Sequence, residues 1–208
     1  MNQDEHAGNV PLIGGNLAVD FVNTVAGDRR QVPVDHLRSY ADLVAWAVHA
    51  GAIGAASARA LRRAAAGDPK GASRTLARAL ALREAIHDVV LAVAEGGRPP
   101  AGDVELISAE AAEAATHLRI RPDGRRFAFA WDERGALSEV LHPIARSAAQ
   151  LLTEGRLDRV RVCAGDHCGW LFVDTSKGGR RRWCDMAGCG SRAKARTYYR
   201  RRTTGGPA

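Results

Sequence analysis

Leu17, Ala18, Phe21, Val22 and Val25 recur at spacings of three and four, which predicts a short helix over residues 16–25 with Asn16 as its N-cap. A loop over Gly27 to Pro33 follows. Ser39 then caps a second predicted helix, Tyr40 to Ala50, closed by Gly51. Ser57 caps a third, which ends at Gly67-Asp68-Pro69. Leu76, Leu80, Ile86, Val89, Val90 and Val93 draw one stripe along a longer helix, about Ser73 to Glu95, stopped by Gly96-Gly97. Pro99-Pro100 leads into a fifth helix, about Asp103 to His117.

There the period changes from helical to alternating. Residues 118–121 and 127–131 read as two strands joined around Pro122-Asp123-Gly124, a β-hairpin expected to pack against the helices. A further helix covers roughly Pro143 to Thr153, with proline in its first turn. After Gly155 the chain predicts two short strands, residues 160–162 and 170–173, a turn at Gly178-Gly179 and a basic helix from Gly190 to Arg202. The expected architecture is a mainly α domain with one β-hairpin, residues 1–155, followed by a small α+β module, residues 156–208, each with its own core.

Composition sharpens this division. The chain has 208 residues, 46% apolar, and a formal net charge of +7. From Arg156 onward there are 13 Lys+Arg against 4 Asp+Glu, whereas the first 155 residues are slightly acidic. A concentrated basic segment points to an acidic polymer as partner. No apolar run reaches the roughly 18 residues of a membrane span. The polar, acidic start, Met1 to His6, does not resemble a secretory leader, so a cytoplasmic location is expected.

All four cysteines lie in the basic segment as Cys163-x4-Cys168-x15-Cys184-x4-Cys189. Two close pairs flanking a hairpin-sized stretch suit a tetrahedral thiolate site, with one structural zinc per chain as the leading reading. An iron–sulfur cluster also uses four thiolates. Disulfides would oppose a reducing compartment. His167 could compete as a ligand, although four cysteines already close the site, and a closed site disfavours catalysis. Lys177, Arg180, Arg181 and Arg182 crowd the turn before Cys184. Arg192, Arg196 and Arg200 form a helical stripe beyond Cys189, flanked by Lys194 and Arg201. These cations form a candidate phosphate-binding face, with a solvated basic tail as the plain alternative.

The run from Cys163 through Cys168-Gly169-Trp170-Leu171-Phe172-Val173, Arg181-Arg182-Trp183-Cys184 and Cys189-Gly190-Ser191-Arg192 resembles the CGNR zinc finger. Leu17 to Thr24, with Tyr40 to Trp46, resembles the ABATE domain that commonly precedes it. The resemblance spans nearly the whole chain. It implies a treble-clef or ribbon-like finger holding zinc through Cys163, Cys168, Cys184 and Cys189. It also implies a bacterial transcription regulator that binds DNA, with RNA as the other nucleic acid to consider. Ser191 departs from the motif, standing where its name has Asn. Serine can replace asparagine as a helix cap, but not as a bidentate reader of a base.

Two other functions stay open. Asp20, Asn23 and Thr24 share the polar side of the first predicted helix and could converge on a pocket for a small effector or a substrate; capping and solvation would explain them equally. No nucleotide-binding loop, nucleophile elbow or metalloprotease motif is present, so the expectation is a protein that is not an enzyme. A protein-interaction adaptor with a purely structural zinc is the third reading. The sequence leaves the oligomeric state open.

Overall fold

The computed structural model describes residues 5–29, 31, 33–132 and 134–204, with Arg201 to Thr204 as backbone only. The first helix, α1 (Leu17–Val22), is shorter than its apolar spacing suggests. Asn16 caps it as expected, its side chain accepting from the N–H groups of Ala18 and Val19. Val25 does not continue the helix. Val25–Ala26 is a short strand, β1, paired antiparallel with β2 (Val34–Asp35).

Ser39 caps α2 (Tyr40–His49), and Gly51 adopts the left-handed conformation that closes it. α3 (Ala55–Gly67) begins two residues before Ser57, with Gly54 at its N-cap, so Ser57 is not its cap. α4 (Pro69–Ala94) begins four residues earlier than predicted, because Asp68 caps it through the Gly71 N–H and Pro69 fits its first turn. α5 (Ala101–Thr116) leads into β3 (Leu118–Asp123) and β4 (Arg126–Trp131). A 3₁₀ turn, Leu137–Leu141, runs into α6 (His142–Thr153). α4 is the centre of the bundle: α1, α2, α3 and α5 all pack on it, and α6 closes over α1 and α5.

The hairpin departs from expectation. Its register, Leu118 opposite Trp131 through Asp123 opposite Arg126, matches the sequence pattern, but beyond its root the bundle touches it mainly through Arg146, which lies over Phe129. Ile120, Phe127 and Phe129 are 67%, 74% and 59% exposed. Alternation predicted the strands, not what covers them.

The C-terminal module comprises β5 (Val160–Val162), β6 (Leu171–Val173), a single π turn at Met186–Gly190 and α7 (Ser191–Thr204). β5 and β6 pair antiparallel. The expected separate cores are not found. Val160, Leu171 and Phe172 are fully buried in the same apolar cluster as Phe21, Trp46 and Ile86. β6 lies against α1, and β5 against α4. Among the described residues, no helix is long and apolar enough to cross a membrane.

Candidate metal centre and basic face

Two turns bring the cysteines together. Cys163 directly follows β5, and its N–H donates to the Trp170 carbonyl at 2.8 Å. His167 then takes a left-handed backbone (φ 59°) that turns the chain back to Cys168. Cys184 and Cys189 flank the second turn, which Asp185 caps by accepting from the Gly188 N–H. The four sulfurs all lie within 4.8 Å of one another, and Cys163, Cys184 and Cys189 are buried.

That donor set fits a thiophilic cation. Cys163 accepts hydrogen bonds from the Cys168 and Cys184 thiols and from the N–H groups of Cys184 and Gly165, which hold it well below the ordinary thiol range. The same pairing with Cys163 pushes Cys168 and Cys184 upward. Four sulfurs this close cannot all ionise unless a cation sits among them, and a structural zinc supplies that charge. His167 is exposed, with Nδ1 2.8 Å from Gln31 Oε1, and is not part of the sulfur cluster. Gly165 is a site residue that sequence reading missed: a β-carbon there would lie 2.9 Å from Cys189 Sγ. Only the folded turn reveals that crowding.

The predicted cations divide into two groups. Arg181 turns inward: its Nε donates to the Trp183 carbonyl at 2.8 Å, its Nη2 donates to the Cys184 carbonyl, and its guanidinium stacks over Phe172. It is therefore a brace for the second cysteine turn rather than part of the basic face. Arg192 reaches Cys189 Sγ at 3.2 Å, and Arg196 pairs with Asp166 at 2.9 Å, so this side of α7 holds on to both cysteine turns. Lys177, Arg180, Arg182, Lys194 and Arg200 are exposed. Arg182 and Lys194 flank a groove of about 350 Å³ with Trp183, Ala193, Thr197 and Tyr198. The Arg201 side chain lies outside the described residues. Ser191 is the C-terminal cap of the π turn, with its hydroxyl donating to the Met186 carbonyl.

Asp20, Asn23 and Thr24 do not line a shared cleft. Asn23 and Thr24 are almost fully buried. Asn23 bonds both backbone groups of Leu171, while the Thr24 hydroxyl donates to the Phe21 carbonyl and receives Arg83 at 3.1 Å. Asp20 accepts from the Gly14 N–H at 2.7 Å, and burial raises its pKa to about 6. These residues hold the fold together: Arg83 also forks onto Asp35 at 2.8 and 2.7 Å, tying α4 to β2.

Comparison with known families agrees with this architecture. The ABATE family, described as "Putative stress-induced transcription regulator", matches residues 15–155, and the CGNR zinc finger matches residues 159–202. No curated protein matches the chain. The finger match and the sulfur cluster together assign Cys163, Cys168, Cys184 and Cys189 as the ligands of one structural zinc.

Proposed function

Because the chain belongs to the ABATE family and carries a CGNR zinc finger directly behind that domain, we propose that it regulates transcription by binding nucleic acid through the finger. The reading is of a binding protein rather than an enzyme. The observation that carries it is the groove walled by Trp183 and Tyr198 and flanked by Arg182 and Lys194. Lys177 and Arg180, both exposed, lie on the turn just before Arg182. Zinc fixes the turn on one side of this groove and the start of α7 on the other, so the cations are held in register with phosphates without an ordering cost. Duplex DNA is the first partner to test, with RNA second.

Titration of duplex DNA at several salt concentrations tests this. Each phosphate neutralised adds roughly 0.9 to the slope of log affinity against log salt. Replacing Arg182 and Lys194 by Ala should weaken binding and flatten the slope by about 1.8, with zinc retained. These two are better probes than Arg192 and Arg196, which contact Cys189 and Asp166. Wild-type protein without affinity for DNA or RNA at low salt would favour the adaptor reading instead.

A small-molecule effector, if the helical domain takes one, fits a different place from Asp20. A groove of about 510 Å³ lies between α3, the start of α4 and residues 135–138, with Arg74, Arg78, Thr75 and Ser138 on its walls. Asp68 also lines it; Arg74 pairs with Asp68 at 3.8 Å and Arg78 with Glu110, so an anionic ligand there would have to compete with both carboxylates. Saturable binding of a small anion, lost in Arg74→Ala, is the measurement that supports this, and its absence across a carboxylate and phosphate panel counts against it.

A further inference from the structure

The β3–β4 hairpin has one apolar face and one cationic face. The register places Leu118, Ile120, Pro122, Phe127, Phe129 and Trp131 on one side. Leu118 and Trp131, at the root, are partly buried, with Trp131 against His142. Arg146 lies over Phe129, 4.4 Å from the ring centroid. Most of the face is nonetheless open: Ile120, Phe127 and Phe129 expose on the order of 400 Å² of side chain. A two-stranded ribbon whose apolar face is mostly uncovered is marginal in water, and an exposed face of this kind marks a binding surface.

Charge identifies the occupant. Residues 118–131 contain Arg119, Arg121, Arg125 and Arg126 against Asp123 alone. The preceding helix, α5, has Glu105 and Glu113 exposed and Asp103 partly so, with Glu110 buried against Arg78, and contains neither lysine nor arginine. Its outer surface is also smooth: Ala109 and Ala112 are exposed between Glu105 and Glu113, beside Val104. Consecutive elements of one chain therefore carry opposite charges and complementary relief. Their lengths match too, about 20 Å for a six-residue ribbon and about 24 Å for a 16-residue helix.

We infer that the hairpin is a dimerisation arm that lies, apolar face down, along α5 of a second copy of this chain. Two-fold symmetry makes the contact reciprocal, so each copy gives one arm and receives one. Counted over both contacts and both surfaces, burial reaches about 1,600 Å², the size of a stable interface. The arm's arginines lie on the face turned away from α5, so their attraction to the partner's glutamates is long-range and weakens as salt rises. Nucleic acid fits the arm less well, because rings and arginines sit on opposite faces, whereas stacked bases and their phosphates need both together.

Sedimentation of the full zinc-loaded chain over a concentration series tests the arm. Wild type should run at twice the 22.2 kDa chain mass. Phe127→Glu with Phe129→Glu should weaken association at least about a hundredfold; both rings are largely exposed, so folding is unaffected, as circular dichroism verifies. Arg121→Glu with Arg126→Glu should also give monomers, as should Glu105→Arg with Glu113→Arg. Mixing those two charge-reversed chains should restore a dimer, since each arm then meets an oppositely charged α5. A wild-type monomer at tens of micromolar overturns the inference. So does a dimer that survives the double Phe→Glu change, or a charge-swapped mixture that stays monomeric. A monomer whose nucleic-acid binding is lost with the two phenylalanines would reassign the arm to nucleic acid.

Discussion

The Asn23 side chain pairs with both backbone groups of Leu171, donating Nδ2–H to the carbonyl at 2.8 Å and accepting the N–H on Oδ1 at 3.0 Å. The amide thus acts as a one-residue strand along the edge of β6, and joins the helical domain to the finger. Around it, Trp170 Nε1 donates to the Val25 carbonyl at 2.9 Å, and the Val173 N–H donates to Gly14 at 2.8 Å.

Asn23→Ala should destabilise the chain by about 2–4 kcal/mol, because it leaves a buried N–H and a buried C=O without partners. Urea unfolding followed by circular dichroism measures this. Asn23→Asp should not rescue it, since a carboxylate offers no donor to the Leu171 carbonyl. A loss below about 0.5 kcal/mol in both variants would show that the joint contributes little.

Zinc removal should reach the helices. The finger buries Leu171 and Phe172 in the same cluster as Phe21 and Ile86, so melting it uncovers the bundle. Cys184→Ser, or a strong chelator, should lower the midpoint of helix loss by about 10 °C in a single transition. An unchanged helical melt after zinc release would restore the picture of two independent units.

Gly165→Ala should weaken zinc binding at least about tenfold, because the added methyl would fall 2.9 Å from Cys189 Sγ and 3.0 Å from its Cβ. Competition with a metallochromic chelator reads this out. Gly178→Ala is the control: its nearest neighbours are 3.6 Å away, in the flexible Arg180 side chain. Equal affinity in both variants would show that the first cysteine turn can widen without cost.

Asp20 supplies a pH dependence of known sign. Burial raises its folded pKa from 3.8 to about 6, against the opposing pull of the Gly14 N–H. The folded state therefore holds this proton more tightly than the unfolded one. Its contribution is fully present below about pH 4 and is lost as pH rises through about 6. Asp20→Asn keeps an acceptor for Gly14 and removes the charge, so it should stabilise the chain at pH 7 by about 1–2 kcal/mol. It should also flatten the stability profile between pH 4 and 6. Parallel profiles for wild type and variant would place the titration elsewhere.

The sequence by itself determined the features that rest on local spacing. Two cysteine pairs at x4 and x15 identified the metal ligands, since a thiolate site needs only tight turns and a returning hairpin. Asn16 and Ser39 were legible as caps because a cap acts within three residues of itself. The hairpin register was legible because alternation has a fixed period. Tertiary structure decided whatever depended on distant partners. Asn23 looked like a pocket residue on a polar helix face, and its actual partner is 148 positions away. Arg181 looked like its two neighbours, but the fold turned it inward beneath the cysteine turn while Arg182 stayed outside. Phe127 and Phe129 had the pattern of a packed face, yet both remain largely exposed, with only Arg146 laid over Phe129. Periodicity states which residues share a side. Which surface meets that side depends on how the whole chain closes, and here α4 gathers its neighbours without reaching the arm.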